Sequence, residues 1–436
     1  MPLRSEVWQT AASEKPWGRG IMARVDALVL GAGIVGVSTA LQLVKRGLSV
    51  AIVDRQRPGE GTSYGNAGVL GGAGVYPTGF PRDLGTILRV GLKLAPFANY
   101  YAADLPRLAP WLWSYYRASR EPLLQEGARF QRPLMANAVA EHEALMTEAN
   151  ALRYLRKDGW LTLYYDDAAL KGMQGQLALG TELGVAANVL DTAGARALEP
   201  SLAPVFAHAI HWPDIASVSN PLGVTQAYAK LFTKLGGLII KGDARSLHRS
   251  GDRWRVDTDE GALDSPNAII CLGPWAPDVL EPLGIRLPFA VKRGYHWHFS
   301  SQGNAALKRP VVDTLNGYVL APMEQGMRVT TGAEFARRDA APTPVQIDRV
   351  LPHAKKLYPL DKPVEPKPWM GARPCVYDMR PVIGRAPGHP GLWFNTAHNH
   401  YGLTLGPVTG KLLADIMTGA TPVCDPAPFS IERFAR

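Results

Sequence analysis

Six residues near the N-terminus constrain this chain of 436 residues more than anything else in it: Gly31-Ala32-Gly33-Ile34-Val35-Gly36. An apolar run over 25–30 precedes them and reads as a short strand buried on both faces. A helical pattern follows over 37–46, with Gly47 as its C-terminal stop, and a second apolar run over 48–53 ends at Asp54. Strand, glycine turn, helix and strand make a β-α-β unit. Such a start implies an α/β chain with a doubly wound parallel sheet.

The glycines have a chemical logic. Gly31 allows the tight turn, Gly33 admits a pyrophosphate against the backbone, and Gly36 lets the helix pack on the strand. The helix N-terminus at Ile34 and Val35 turns N–H donors and a positive dipole toward phosphate. Asp54, with Arg55 beside it, lies where a carboxylate accepts from a ribose hydroxyl. The glycine triplet alone is a weak signal. Strand before, helix after and acid at the right spacing favour a dinucleotide over an empty glycine-rich turn, without separating NAD from FAD.

Composition removes other classes. The sequence holds 44 Gly and 36 Pro, an excess that suggests many tight turns and close backbone approaches. No stretch reaches the ~18 apolar residues that span a bilayer. Residues 1–21 carry no apolar signal region and read as a tail before Met22. Cys271, Cys375 and Cys424 show neither metal spacing nor a disulfide framework, which favours a reducing, cytoplasmic setting. The net charge of +9 is concentrated early: over 81–120, Arg82, Arg89, Lys93, Arg107, Arg117 and Arg120 face only Asp83 and Asp104. There is no Lys/Arg run of nucleic-acid type, so an anionic membrane or an acidic substrate is the milder implication.

Strand and helix patterns alternate in blocks, nucleotide-binding, other, then nucleotide-binding again. The expected division is a dinucleotide domain from 22–84, 214–280 and 369–436, interleaved with an α+β substrate domain from 85–213 and 281–368. The substrate domain is expected to carry a mainly antiparallel sheet, with 295–299 and 317–320 as half-exposed strands and the last helix over 406–417.

Three segments sharpen this reading: Pro58-Gly59-Glu60-Gly61-Thr62-Ser63-Tyr64-Gly65-Asn66-Ala67-Gly68, Gly371-Ala372-Arg373-Pro374, and His398-Asn399-His400-Tyr401-Gly402-Leu403-Thr404. Together with the first motif they make the chain resemble the D-amino-acid oxidase/glycine oxidase superfamily, and within it the bacterial FAD-dependent D-amino-acid dehydrogenases. The resemblance covers about 25–419 and implies a non-covalent FAD. It places Thr62, Ser63, Asn66, Ala67 and Gly68 along the flavin, Gly273 on the strand end near FAD, and Gly402, Leu403 and Thr404 where backbone N–H groups face the flavin pyrimidine edge. A helix N-terminus there would stabilise the negative charge of reduced flavin.

The resemblance also implies the substrate residues. Arg373 would grip a carboxylate through two parallel bonds. Tyr318 resembles a strand tyrosine that reaches the same carboxylate, with a core aromatic as the even alternative. Arg293 is a second carboxylate partner, and His400 faces the flavin as a substrate ligand, a water-orienting group or a solvated loop residue. His296 and His298 alternate on one strand without a third ligand nearby, so no metal is expected. Relatives have Pro where this chain has Tyr377, which adds bulk beside the site, and Cys375 reads as a buried inert thiol rather than a flavin link. Two readings stay open for the aromatic, basic stretch 97–120: an interfacial helix docking on anionic lipid beside a quinone pool, or a helix buried under the substrate domain.

The implied reaction is oxidation of a free D-amino acid to the 2-imino acid, hydrolysed to 2-oxo acid and ammonia, with electrons passing to a quinone or to oxygen. No motif carboxylate offers a base, so positioning and electrostatics are expected to supply the rate. Three rivals stand beside this. They are an oxidase of glycine, sarcosine or a cyclic imino acid, a flavoprotein modifying tRNA, and a non-catalytic flavin module.

Overall fold

A computed structural model of the chain describes residues 23–71 and 76–435; the tail expected over 1–21 lies outside them. Strand Ala27–Leu30, buried at every position, pairs in parallel with Val50–Asp54 on one side and Ala268–Ile270 on the other. Leu238–Lys241 and Leu392–Thr396 continue the sheet outward in parallel, and antiparallel Val382–Arg385 completes the six strands. Three distant stretches of chain thus supply one sheet. Helix Ile34–Val44 covers one face, and helix Gly402–Thr418 packs along it so closely that a Cβ at Gly410 would sit 2.9 Å from the Ser38 backbone. A four-stranded sheet, Ala23–Arg24, Gly261–Ser265, Arg253–Thr258 and His248–Ser250, continues from these strands.

Eleven strands make the second large sheet. Its centre is Phe289–Ser301, which pairs with Gly326–Thr331 and Ala333–Phe335 along one edge and with Leu360–Pro363 and Trp369–Val376 along the other. Three points differ from the sequence reading. The division expected between 368 and 369 falls inside this sheet, because Trp369–Val376 pairs with Phe289–Ser301 over eight residue pairs. The strand expected to be half-exposed at 295–299 is buried at all positions but Trp297, whereas 317–320 alternates buried and part-exposed residues as expected. Helix Val345–Leu357 packs on one face through Val350, Ala354 and Leu357, and the other face closes over a cavity. The last helix starts at Gly402 rather than 406, so the expected loop residues form its first turn. Among the described residues no helix is long and apolar enough to cross a membrane.

Helix Leu105–Ala118 lies over the cavity with Trp111 and Tyr115 buried, as in the second of the two readings of 97–120, while Trp113 is exposed. The outward apolar surface belongs instead to the preceding helix, Leu84–Gly91, capped by Asp83 accepting from Thr86 N–H at 2.7 Å.

Candidate active site

Between the strand ends of the parallel sheet and the open face of the large sheet lies a cavity of about 1310 Å³. It exceeds the ~300–1,000 Å³ of a pocket for one drug-sized ligand. Its two ends differ in chemistry.

The first end is built from backbone. Gly31 has φ +108°, and a Cβ there would lie 2.6 Å from the Cys271 carbonyl oxygen, so only glycine fits both the turn and the neighbouring strand end. Gly33 extends into helix Ile34–Val44, whose first N–H groups open onto the cavity with Ile34 and Val35 lining it. Ile34 N–H donates to Ser63 Oγ at 3.0 Å, which ties the glycine turn to the 62–68 segment. Asp54 accepts from Ala32 N–H at 2.6 Å through one oxygen and from Gln56 N–H at 2.8 Å through the other. Burial nevertheless raises the Asp54 pKa, and lone pairs remain for a ligand hydroxyl. Arg55 and Gly273 line the same end, Gly273 at φ +53°. Gly36 does not: a Cβ there would lie 1.9 Å from the Gly31 carbonyl oxygen, so its role is turn-to-helix packing.

The sequence reading missed three polar side chains here. Arg245, paired with Asp243 at 2.5 Å, and Asp278, paired with Arg338 at 2.9 Å, sit on segments that no motif marks. The third, Arg328 on strand Gly326–Thr331, donates to the Tyr64 carbonyl at 3.1 Å, to the Asn66 carbonyl, and to His298 Nε2 at 2.9 Å. It is a buried cation that pins the 62–68 segment to the large sheet, and burial lowers its pKa to about 10. No sequence signal marked it, because the two carbonyls it holds lie more than 260 residues away.

The 62–68 segment carries the flavin-side expectations. Thr62 Oγ1 donates to the Ala372 carbonyl at 2.9 Å, Asn66 Nδ2 to the His400 carbonyl at 3.4 Å, and Asn66 Oδ1 accepts from Gly68 N–H at 2.9 Å. Thr62, Ser63, Asn66 and Ala67 line the cavity; Gly68, at φ +77°, turns the chain against the Val218 carbonyl instead. Gly402, Leu403 and Thr404 face them from the first turn of Gly402–Thr418. Thr404 Oγ1 donates to the Val69 carbonyl at 2.9 Å, and the His142 ring meets the Leu403 carbonyl at 2.7 Å. Burial lowers the His142 pKa to about 4, so the ring is neutral there.

The second end is set by strand register. On Trp369–Val376, Arg373 donates to the Gly332 carbonyl at 2.7 Å and to the Thr331 carbonyl at 3.1 Å. Its guanidinium lies across Gly294, where a Cβ would come 2.4 Å from Nη2. Two of five N–H donors are thereby used and the others remain for a ligand. Among the described residues Arg373 has no carboxylate partner. Burial lowers its pKa from the ordinary arginine value. His400 lines the cavity nearby, its pKa lowered to about 3 by burial, then by Arg373 and Lys292.

Three expected participants are elsewhere. Arg293 points to the opposite face, with Nε 2.8 Å from Glu334 Oε2, Nη1 2.5 Å from the Ala340 carbonyl and Nη2 3.0 Å from the Ala341 carbonyl. Both side chains of that ion pair are fully buried. Side chains alternate along a strand, so Lys292 and Gly294 face the cavity where Arg293 cannot. For the same reason Tyr318 packs behind the sheet with Leu320, Val350 and Leu357 while Val319 lines the cavity. Tyr377 packs edge-on against Phe434 at 5.3 Å and does not line the cavity. Cys375 does line it, with burial raising its thiol pKa.

A dinucleotide fits the first end on the evidence of the glycine cradle, the helix N-terminus and the unsaturated Asp54. The remaining volume, with an unpaired guanidinium, suits a small carboxylate. Residues 26–416 match the family model described as FAD dependent oxidoreductase, DAO. The chain is 30% identical to a D-amino acid dehydrogenase of Methylobacterium radiotolerans over 427 residues, covering 94% of this chain and 100% of that one. It is 27% identical to a D-amino-acid oxidase of Bradyrhizobium diazoefficiens, covering 93% and 98%. Among solved structures, glycine oxidase from Geobacillus kaustophilus superposes with a TM-score of 0.71 at 22% identity, covering 94% of this chain and 99% of that one.

Proposed function

The chain belongs to the FAD dependent oxidoreductase (DAO) family, an FAD-dependent family of amino-acid oxidoreductases, and from that premise we propose that it oxidises a free D-amino acid and passes the electrons to a quinone. The observation that carries this is Arg373: a guanidinium anchored on two backbone carbonyls, facing the cavity, with no carboxylate partner among the described residues. Relatives named D-amino acid dehydrogenase and D-amino-acid oxidase that span nearly the whole chain support the choice of substrate hand.

Bound FAD supplies the acceptor for the hydride that leaves the substrate α-carbon. The nitrogen lone pair closes the C=N bond as that hydride departs, and water then converts the imino acid to 2-oxo acid and ammonia. Arg373 fixes the α-carboxylate, and with it the direction of the α C–H bond. Arg373 and Lys292 make the lining positive, which disfavours a bound ammonium and favours the neutral amine the reaction needs. His400, held neutral, adds no competing charge and is no proton acceptor near pH 7. Tyr115, Leu112 and Phe335 give this part of the cavity an apolar lining, and a less polar surrounding strengthens charge–charge interactions. At the flavin end the first-turn N–H groups of Gly402–Thr418 suit negative charge. The protonated Cys375 thiol supports a non-covalent flavin.

For the acceptor, helix Leu84–Gly91 supports a quinone at a lipid surface. Its inner residues Ile87 and Val90 line the cavity, while Leu84, Leu88, Leu92 and Leu94 on and just after it are 63–76% exposed. Arg82, Arg89 and Lys93, exposed in the same stretch of chain, are complementary to anionic lipid. Cosedimentation with anionic but not neutral vesicles tests this docking.

The reaction itself is tested by adding single amino acids anaerobically to the yellow protein and following the flavin band. Bleaching by D-amino acids and not by their L forms is the expected result. Bleaching by glycine or sarcosine alone, or by no free amino acid, overturns it. Relatives named glycine oxidase keep the first of these outcomes as the second reading.

A further inference from the structure

Lys292 is a buried cation with no ion-pair partner among the described residues. It is 7% exposed, its Nζ lies 3.9 Å from the Tyr115 ring centre and 5.5 Å from that of Trp111, and it donates to Met379 Sδ at 3.8 Å. The carboxylates that line the cavity, Asp54, Asp243 and Asp278, all sit at the dinucleotide end and are all partnered. Residues 72–75, Gly-Ala-Gly-Val, bring no charge.

Lys292 is also the direct cross-strand partner of Arg373. Like charges opposite each other on one sheet face destabilise a fold, and an unpaired buried charge costs more. The two side chains diverge. The Arg373 guanidinium turns along the strands toward Gly294, whereas the Lys292 ammonium reaches the other way, toward Cys375 and Met379. Two separated cations in one cavity, with aromatic walls around the second, match a ligand that is anionic at both ends. Burial lowers the Lys292 pKa to about 8, with Arg373 lowering it and Cys375 raising it, so the ammonium persists at pH 7.

We propose that Lys292 is a distal anion subsite and that the substrate is an acidic amino acid, its α-carboxylate on Arg373 and its side-chain carboxylate on Lys292. This rests on the amine-oxidation reading above. It adds a side-chain class to that reading, and the residue that selects it.

Two measurements decide it. The first compares anaerobic flavin reduction by D-glutamate and D-aspartate with that by D-glutamine and D-asparagine, in wild type, Lys292→Met and Lys292→Arg. The acid-to-amide ratio of kcat/KM should fall about tenfold or more in Lys292→Met, the scale of one lost charge-assisted hydrogen bond, and be largely kept in Lys292→Arg. The second needs no turnover: glutarate and succinate against butyrate, as ligands that shift the melting temperature or the flavin band of the holoprotein. Dicarboxylates should bind more tightly than butyrate in wild type and lose that margin in Lys292→Met. Equal binding of mono- and dicarboxylates by wild type, or an unchanged ratio in Lys292→Met, overturns the subsite. If dicarboxylates bind through Lys292 but no amino acid bleaches the flavin, the subsite stands and the oxidation reading fails. Flavin content and melting temperature of each variant show that it is folded.

Discussion

At the dinucleotide end of the cavity every carboxylate has a partner within the protein, Asp54 in two backbone N–H groups, Asp243 in Arg245 and Asp278 in Arg338, and Asp54 keeps lone pairs free. At the substrate end the cations Arg373 and Lys292 share one sheet face, and among the described residues no acid lies between them. The first end recognises by shape, by backbone dipole and by the lone pairs that Asp54 keeps free. The second holds two cations without a carboxylate partner among the described residues, and the proposed ligand anion would complete it. Charges a fold does not balance therefore point to the substrate more directly than charges it does.

The largest effect that tests this contrast is expected from Arg373→Met. It removes two charge-assisted bonds to substrate at ~1.5–3 kcal/mol each, so kcat/KM should fall about 10²–10⁴-fold. The flavin spectrum should persist; a loss below tenfold in anaerobic single-turnover kinetics would break the contrast. Arg293→Met is the opposite case. It strands the buried Glu334 carboxylate and should cost about 3–5 kcal/mol of unfolding free energy by denaturant titration. Should its main effect be on substrate preference with stability intact, Arg293 belongs to the site after all.

Gly294→Ala sharpens the substrate end. The added methyl would sit 2.4 Å from Arg373 Nη2 and push the guanidinium aside, so kcat/KM should drop roughly 10²-fold while flavin stays bound. The smallest effect belongs to Tyr318→Phe, which keeps the ring in its core cluster and removes only the hydroxyl. It should change stability by less than about 1.5 kcal/mol and leave steady-state kcat/KM at the wild-type value. A tenfold loss there would place Tyr318 at the substrate.

The glycine turn was readable because its logic is local. Gly31, Gly33 and Asp54 act through backbone geometry and a fixed spacing that every β-α-β unit of this kind repeats. The carboxylate arginine was readable only through a family motif, and its neighbours were not readable at all. Lys292 and Arg293 are adjacent, and the choice between them depends on which face of Phe289–Ser301 meets the cavity. A one-residue change of phase exchanges every side chain across a sheet. The same phase decided Tyr318 against Val319. The early start of helix Gly402–Thr418 was hidden for a related reason: His142 and Val69, more than 250 residues away, hold its first turn.

The sequence by itself determined the dinucleotide turn, the parallel sheet that carries it and the arginine that marks a carboxylate ligand. The first two follow from residue type and short-range spacing, and the arginine from a family motif. Only the tertiary structure decided that Arg293 is a buried structural cation, that Lys292 faces the cavity beside Arg373, and that Arg328 pins the 62–68 segment. Those are consequences of strand register and of contacts between residues far apart in the chain, and no local pattern encodes either.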